Sequence, residues 1–111
     1  MRNWGGQCAI TRTSIEDALE AAHIYPYGGV KTNDLRNGAL LRADIHRLFD
    51  RHLISFVYQD EALLVRVSAR LARSEYIRYD GMSIELPGFG ACPDPKVVAH
   101  HHEHFLKAAF E

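Results

Sequence analysis

Cysteine is scarce in this 111-residue sequence: Cys8 and Cys92 are the only two, and no CxxC pair occurs. That excludes a CxxC-type structural zinc site and a scaffold held by several disulfides. Two cysteines far apart in sequence, with no secretory signal, read as free thiols. Long apolar runs are also missing. None approaches the roughly 18 residues that a membrane helix needs, and the opening MRNWGGQCAI lacks the charged flank and long apolar core of a signal peptide. A cytoplasmic location and no membrane partner are therefore expected. Nor is there an excess of positive charge. The net charge is -1 and the pI about 6.6, whereas domains that hold nucleic acid by bulk electrostatics have pI above about 9. No internal repeat or low-complexity linker divides the chain. What is present, 47% hydrophobic and 24% charged residues, is the composition of one globular domain with one core, spanning residues 1–111.

Charge is distributed unevenly. Between residues 31 and 51, Lys31, Arg36, Arg42, Arg47 and Arg51 face Asp34, Asp44 and Asp50, so this segment is net positive while the remainder is acidic. The same region changes period several times. Ser14, followed by Glu16 and Asp17, has the pattern of a helix cap and first turn, and Ile15, Ala18, Leu19 and Ala22 give that short helix an apolar stripe. Pro26 forces Tyr25 into an extended conformation, so His23 is expected on or just before a short strand. GGVKTNDLRNG is a loop by composition, ALL returns to extended structure, and ADIHRLFDRH predicts a helix with Ile45, Leu48 and Phe49 on one face. LISFVY and LLVRVS, joined by QDEA, predict a β-hairpin. SIELP after the turn YDGM predicts a third strand. Ser68 to Tyr79 reads as a short helix leading into an extended stretch. PGFGACPDP reads as a loop, and Asp94 with Pro95 as the cap and first position of a terminal helix reaching Phe110. The fold class is α+β.

Four polar residues in residues 21–50 carry candidate chemistry. On a helix His46 and Asp50 lie one turn apart and project from the same side, away from the apolar stripe. Such a pair either holds a metal ion or makes an exposed contact worth a few tenths of a kcal/mol. Imidazole suits Zn, Ni, Cu or Fe and carboxylate suits Mg or Mn, so the pair leaves the ion open. His23 is either a hydrogen-bonded, partly buried histidine or a base able to take a proton from water near neutral pH. Asn37 before Gly38 is either turn chemistry or a side-chain carbonyl that orients an imidazole.

CAIT, EAAHIYPY, NGALLRADIHRLFD and LISF, in that order, resemble the HNH endonuclease family, whose site is the ββα-metal or His-Me finger. They are similar to a subgroup reading approximately C-x-x-T-G, A-x-H-I-x-P, N-G-L-x-L, H-x-x-F-D and G-L-I. The likeness covers residues 8–56, leaving 57–111 as a C-terminal extension, and implies a ββα-metal motif with an added β-hairpin and a C-terminal helix. It implies a metal-dependent endonuclease hydrolysing phosphodiester bonds in DNA, by nicking or double-strand cleavage. His23 would be the general base and Asn37 its orienting partner. His46 and Asp50 would hold one divalent cation, with Mg, Mn, Ni and Zn not distinguished. Arg42 and Arg47 would contact phosphates, or else be solvated surface arginines. The alternative is a catalytically inert HNH-like domain that binds nucleic acid or protein. No recognition helix or zinc-finger module is visible, so sequence specificity would come from surface loops, a homodimer or an additional DNA-recognition chain.

Three positions depart from the pattern. Ala22 stands where many HNH sites carry a further metal ligand, Arg12 replaces the glycine after CAIT, and His52 replaces the glycine of the family's DRG. The chain begins seven residues before Cys8, whereas relatives usually carry an upstream segment, so a minimal or trimmed form is expected. HHHEH at 100–104 offers only a weak i, i+4 metal pair, His100 with His104. Trp4, Tyr25, Tyr27 and Phe89 either stack on bases or belong to the core.

Overall fold

A computed structural model describes residues 2–25, 35–88 and 90–109. Its architecture is α+β: two two-stranded antiparallel sheets and two α-helices. The first sheet pairs β1 (Leu19–His23) with β2 (Gly38–Arg42), in a register that sets Leu19 opposite Arg42 and His23 opposite Gly38. Helix α1 (Ala43–Asp50) follows directly, completing a strand-strand-helix unit. The second sheet pairs β3 (Ile54–Gln59) with β4 (Ala62–Val67). Helix α2 (Pro95–Ala108) closes the chain against β3.

Strand β2 is the centre of the first layer. Gly38, Ala39, Leu40 and Leu41 are all buried, which suits an uninterrupted small-to-large apolar run rather than an alternating one. One edge pairs with β1. On the other, the N-terminal segment donates from Ala9 N–H to the Leu40 carbonyl at 2.8 Å, and Trp4 Nε1–H donates to the Gly38 carbonyl at 3.2 Å. Trp4 is thus a core residue, packed in the same cluster as Cys8, Ile10, Ile24, Leu41 and Phe49. Both cysteines are free thiols, as expected.

Three expectations need correction here. The helix expected from Ser14 through Ala22 is a single 3-10 turn, Glu16–Ala18, after which the chain extends as β1. Leu-Glu-Ala-Ala has good helix propensity, but isolated short helices are marginal in water. Pairing the segment with β2 buries Ala22 and satisfies its backbone through the ladder. The third strand expected at 83–87 shrinks to one bridge, Leu64 with Ser83, flanked by Met82 accepting from Val65 N–H and Ile84 donating to Leu63. The chain leaves β4 before Pro87, which has no N–H to extend a ladder. Ser68–Tyr79 is likewise not helix then strand. It forms two 3-10 turns, Ala69–Leu71 and Glu75–Tyr79, each started by a serine whose hydroxyl accepts a backbone N–H.

The hairpin, both helices and the cap of α2 form where expected. Asp60 and Glu61 both take positive φ, 50° and 70°, the backbone of a two-residue turn whose twist matches the flanking strands. Asp94 Oδ1 accepts from Lys96 N–H at 2.8 Å, with Pro95 in the first turn. In α1, Ile45 and Phe49 are fully buried and Leu48 packs beside them. In α2 the buried residues are Val98, His101 and Phe105, spaced three and four apart as a single helical face requires.

His101 is the unusual member of that face. Its Nε2–H donates to the Phe49 carbonyl at 2.8 Å, so Nδ1 is left to accept from the Ser55 hydroxyl at 2.7 Å. The ring stacks on Phe49 with centroids 3.8 Å apart. One neutral imidazole therefore joins α2, β3 and the end of α1. Burial pushes its pKa down from the ordinary histidine value to about 4, only partly opposed by the bond to the Phe49 carbonyl. The unfolded chain therefore binds a proton at a higher pH than the folded one. This contribution is fully present above about pH 6.5 and is lost as pH falls toward 4, amounting to at most about 3 kcal/mol. Thermal unfolding midpoints of the wild type should fall across that window, and His101→Gln should lower the neutral-pH midpoint while flattening the slope; an unchanged slope would contradict the assignment.

Candidate active site

The site is built at the junction of β1, β2 and α1. His23 ends β1 with its side chain exposed. The next residues are pinned by Asn37, which is buried at the mouth of β2. Asn37 Oδ1 accepts from Tyr25 N–H at 2.7 Å, its Nδ2 donates to the Tyr25 carbonyl at 3.3 Å, and its own carbonyl accepts from Ile24 N–H at 2.9 Å. A single side chain thus replaces a ladder step just beyond His23, where Tyr25 leads away from the sheet. The contacts described for Asn37 run to the backbone following His23, so they set the direction in which that strand end presents its imidazole.

Helix α1 supplies the other half. Because Ile45 and Phe49 point into the core, His46 and Asp50 lie beside that face at the edge of the first sheet. His46 Nε2 is 3.2 Å from Asp50 Oδ2, and His46 Nδ1 is 2.7 Å from Glu20 Oε1 on β1. The imidazole is half-buried while both carboxylates are exposed. His23, His46 and Asp50 line one open cavity of about 430 Å³, with His52 and His101 forming another part of its wall. Three of the four polar residues singled out in the sequence thus meet at one cavity, and the fourth supports the backbone beside it.

Arg42, by contrast, is engaged. Its Nε and Nη2 pair with both oxygens of Asp44 at 2.6 and 2.9 Å, and Tyr76 donates its hydroxyl to Asp44 at 2.7 Å. The guanidinium contact holds the Asp44 carboxyl down at about 2, and that carboxylate in turn raises the Tyr76 hydroxyl to about 12. This cluster staples the start of α1 to the 3-10 turn at 75–79. Arg47 lies exposed on α1. Tyr25 is exposed with its ring 4.5 Å from His100, while Tyr27 and Phe89 lie outside the described residues, as does most of the loop between His23 and Asn37.

Residues 8–57 match the HNH endonuclease family. The match covers a little under half of the chain and points to a nuclease-type domain. No curated protein matches the chain.

HNH nucleases generally use a divalent metal, and the donor chemistry of the HNH segment fits one. Nε2 of His46 and Oδ2 of Asp50 converge. If Nδ1 carries the ring proton toward Glu20, both converging atoms are acceptors, an arrangement that calls for a cation between them. Among the described residues no group of three or more His, Cys, Asp or Glu side chains is arranged to hold a metal ion. The His46 and Asp50 pair thus offers two protein donor atoms that a cation could share. The His100 and His104 rings are 4.7 Å apart and pack as a ridge with Tyr25 and His52.

Glu20 was missed in the sequence because EAA reads as helix, where Glu20 is merely part of a polar face. As a strand residue three before His23 it reaches the neighbouring helix instead. His52 shows how the HNH departures are accommodated. Both residues that stand in place of family glycines, Arg12 and His52, have left-handed backbones, with φ of 65° and 60°. Side-chain-bearing residues are strained there, and glycine is not. His52 gains ring packing at 4.9 Å from His101 and 5.3 Å from His104; Arg12 gains an exposed ion pair with Glu85 at 2.8 Å, worth little in water. Arg12→Gly should therefore stabilise the protein by about 1 kcal/mol, and His52→Gly by less, because it also gives up ring contacts. Urea midpoints measure both, and a lower midpoint for Arg12→Gly would show that its ion pair outweighs the strain.

Proposed function

We propose that the protein is a metal-dependent HNH endonuclease that hydrolyses phosphodiester bonds in DNA, nicking one strand or cutting both. The observation that carries this reading is that His23, His46 and Asp50 line one cavity, because base and metal end must address the same phosphate.

In this mechanism His23 accepts a proton from the attacking water at a ring nitrogen, its exposed position at the end of β1 leaving room for water and phosphate together. Asn37 keeps that strand end fixed through Tyr25 and Ile24, so that the imidazole does not have to be ordered at the moment of reaction. His46 and Asp50 would hold one divalent cation. When bound, Mg, Mn, Ni or Zn supplies Lewis-acid polarisation of the scissile phosphate and stabilises the leaving 3′ oxygen. With only two protein donors, affinity for the ion in the absence of substrate should be low. Arg47 on α1, and the guanidinium N–H groups that the pairing with Asp44 leaves over on Arg42 at the end of β2, would neutralise flanking phosphates. A homodimer or an additional DNA-recognition chain would supply sequence specificity.

The rival is an inert HNH-like binding domain, favoured by one observation, Ala22 in place of a further ligand. Supercoiled plasmid incubated with the protein and Mg, Mn, Ni or Zn separates the two. The wild type should nick with at least one ion and stop on adding EDTA, and His23→Ala should be slower by roughly 100-fold or more. Equal nicking by His23→Ala would remove the proposed base, and no nicking with any ion would favour the inert domain.

A further inference from the structure

We propose that Glu20 is a positioning residue for His46, fixing the imidazole in the tautomer that can bind a metal ion. The inference rests on the reading of His46 as a metal-site donor. Two carboxylates compete for the ring: Glu20 Oε1 lies 2.7 Å from Nδ1, and Asp50 Oδ2 lies 3.2 Å from Nε2. A neutral imidazole has one N–H to give. Donated to Asp50, that hydrogen would occupy Nε2, and the nitrogen facing Asp50 would have no lone pair for a cation. Donated to Glu20, it leaves the Nε2 lone pair directed at the same space as Asp50 Oδ2. The shorter contact assigns the hydrogen to Nδ1, so Glu20 keeps the metal-facing nitrogen open.

The fold explains why Glu20 is available. Strand β1 sets Glu20 opposite Leu41, the last buried residue of β2 before Arg42 and the start of α1. The side chain can therefore reach across to the first full turn of that helix. The two ring nitrogens of an imidazole point in different directions, so a carboxylate bonded to Nδ1 does not share an ion held at Nε2. Glu20 is thus an orienting partner and not a third ligand, in keeping with the absence of a three-donor group among the described residues. Accepting Nδ1–H also makes Nε2 a better donor, as carboxylates behind metal-bound histidines do. Glu20 does not replace the ligand missing at Ala22; it strengthens one of the two donors that remain.

The tautomer can be read in the metal-free protein, independently of any nuclease activity. Long-range ¹H–¹⁵N correlation spectra at pH 8 should show His46 Nδ1 as the protonated, pyrrole-like nitrogen and Nε2 as pyridine-like. Glu20→Gln, whose amide oxygen still accepts, should keep that pattern, whereas Glu20→Ala should shift His46 toward the Nε2–H form. A wild-type His46 protonated at Nε2, or the wild-type pattern persisting in Glu20→Ala, would overturn the proposal. Calorimetric titration with Mn²⁺ gives a second readout. Glu20→Ala should bind about 10- to 100-fold more weakly, Glu20→Gln should recover part of the loss, and Glu20→Ala should have no further effect in a His46→Ala background. A further loss in that background would mean that Glu20 acts other than through His46. Absence of plasmid nicking with the expected tautomer would count against the nuclease reading and leave the role of Glu20 standing.

Discussion

Burial of Ile45 and Phe49 fixes the rotation of α1 about its axis, and the chemistry of the site follows from that rotation. Both side chains are fully buried in the common core, and turning the helix by one residue would cost several kcal/mol of apolar burial. With those two directions set, His46 and Asp50 have no freedom to face elsewhere. They stand at the rim of the first sheet, against Glu20 on one side and the cavity shared with His23 on the other. The His46 and Asp50 pair is thus positioned by apolar packing in the core.

The C-terminal part of the chain reinforces this arrangement. Phe49 is gripped from below by Phe56 of β3, at 5.0 Å, and from the side by the stacked ring of His101. His101 also caps the Phe49 carbonyl near the end of α1, where backbone acceptors lack helical partners. Residues beyond 57 therefore stabilise the helix that bears His46 and Asp50 and supply part of the cavity wall. At the other end of α1, the Arg42, Asp44 and Tyr76 cluster does the same from the 75–79 turn. An exposed helix of eight residues would be marginal by itself; this one is tied at both ends.

Much of the architecture was legible in the sequence because its signals are local. The apolar stripe of α1, the branched and aromatic runs of β3 and β4, and Asp94-Pro95 at the start of α2 each specify their element with little outside help. β1 was not legible, since Glu20, Ala21 and Ala22 prefer helix and become a strand only through β2. The same misreading concealed Glu20, whose role exists only in the extended form. Ser83 to Pro87 has strand composition but no partner beyond a single bridge. At the site, His23, His46 and Asp50 were identifiable from their order and spacing and are brought to one cavity. Asn37 was identifiable as a residue, while its bonds to Tyr25 were not, because they depend on where the chain goes after β1. His101 could not be singled out from its neighbours in HHHEH, since only the packing of α2 decides which histidine points inward.

The central claim, one cation held by His46 and Asp50 beside His23, is tested most directly by titrating Mn²⁺ into isotopically labelled protein and following paramagnetic broadening of the histidine ring signals. His46 should broaden first, His23 should follow at higher occupancy of the same site, and His100 and His104 should stay sharp until excess ion is present. Broadening that begins at His100 and His104 and leaves His46 sharp would contradict the account.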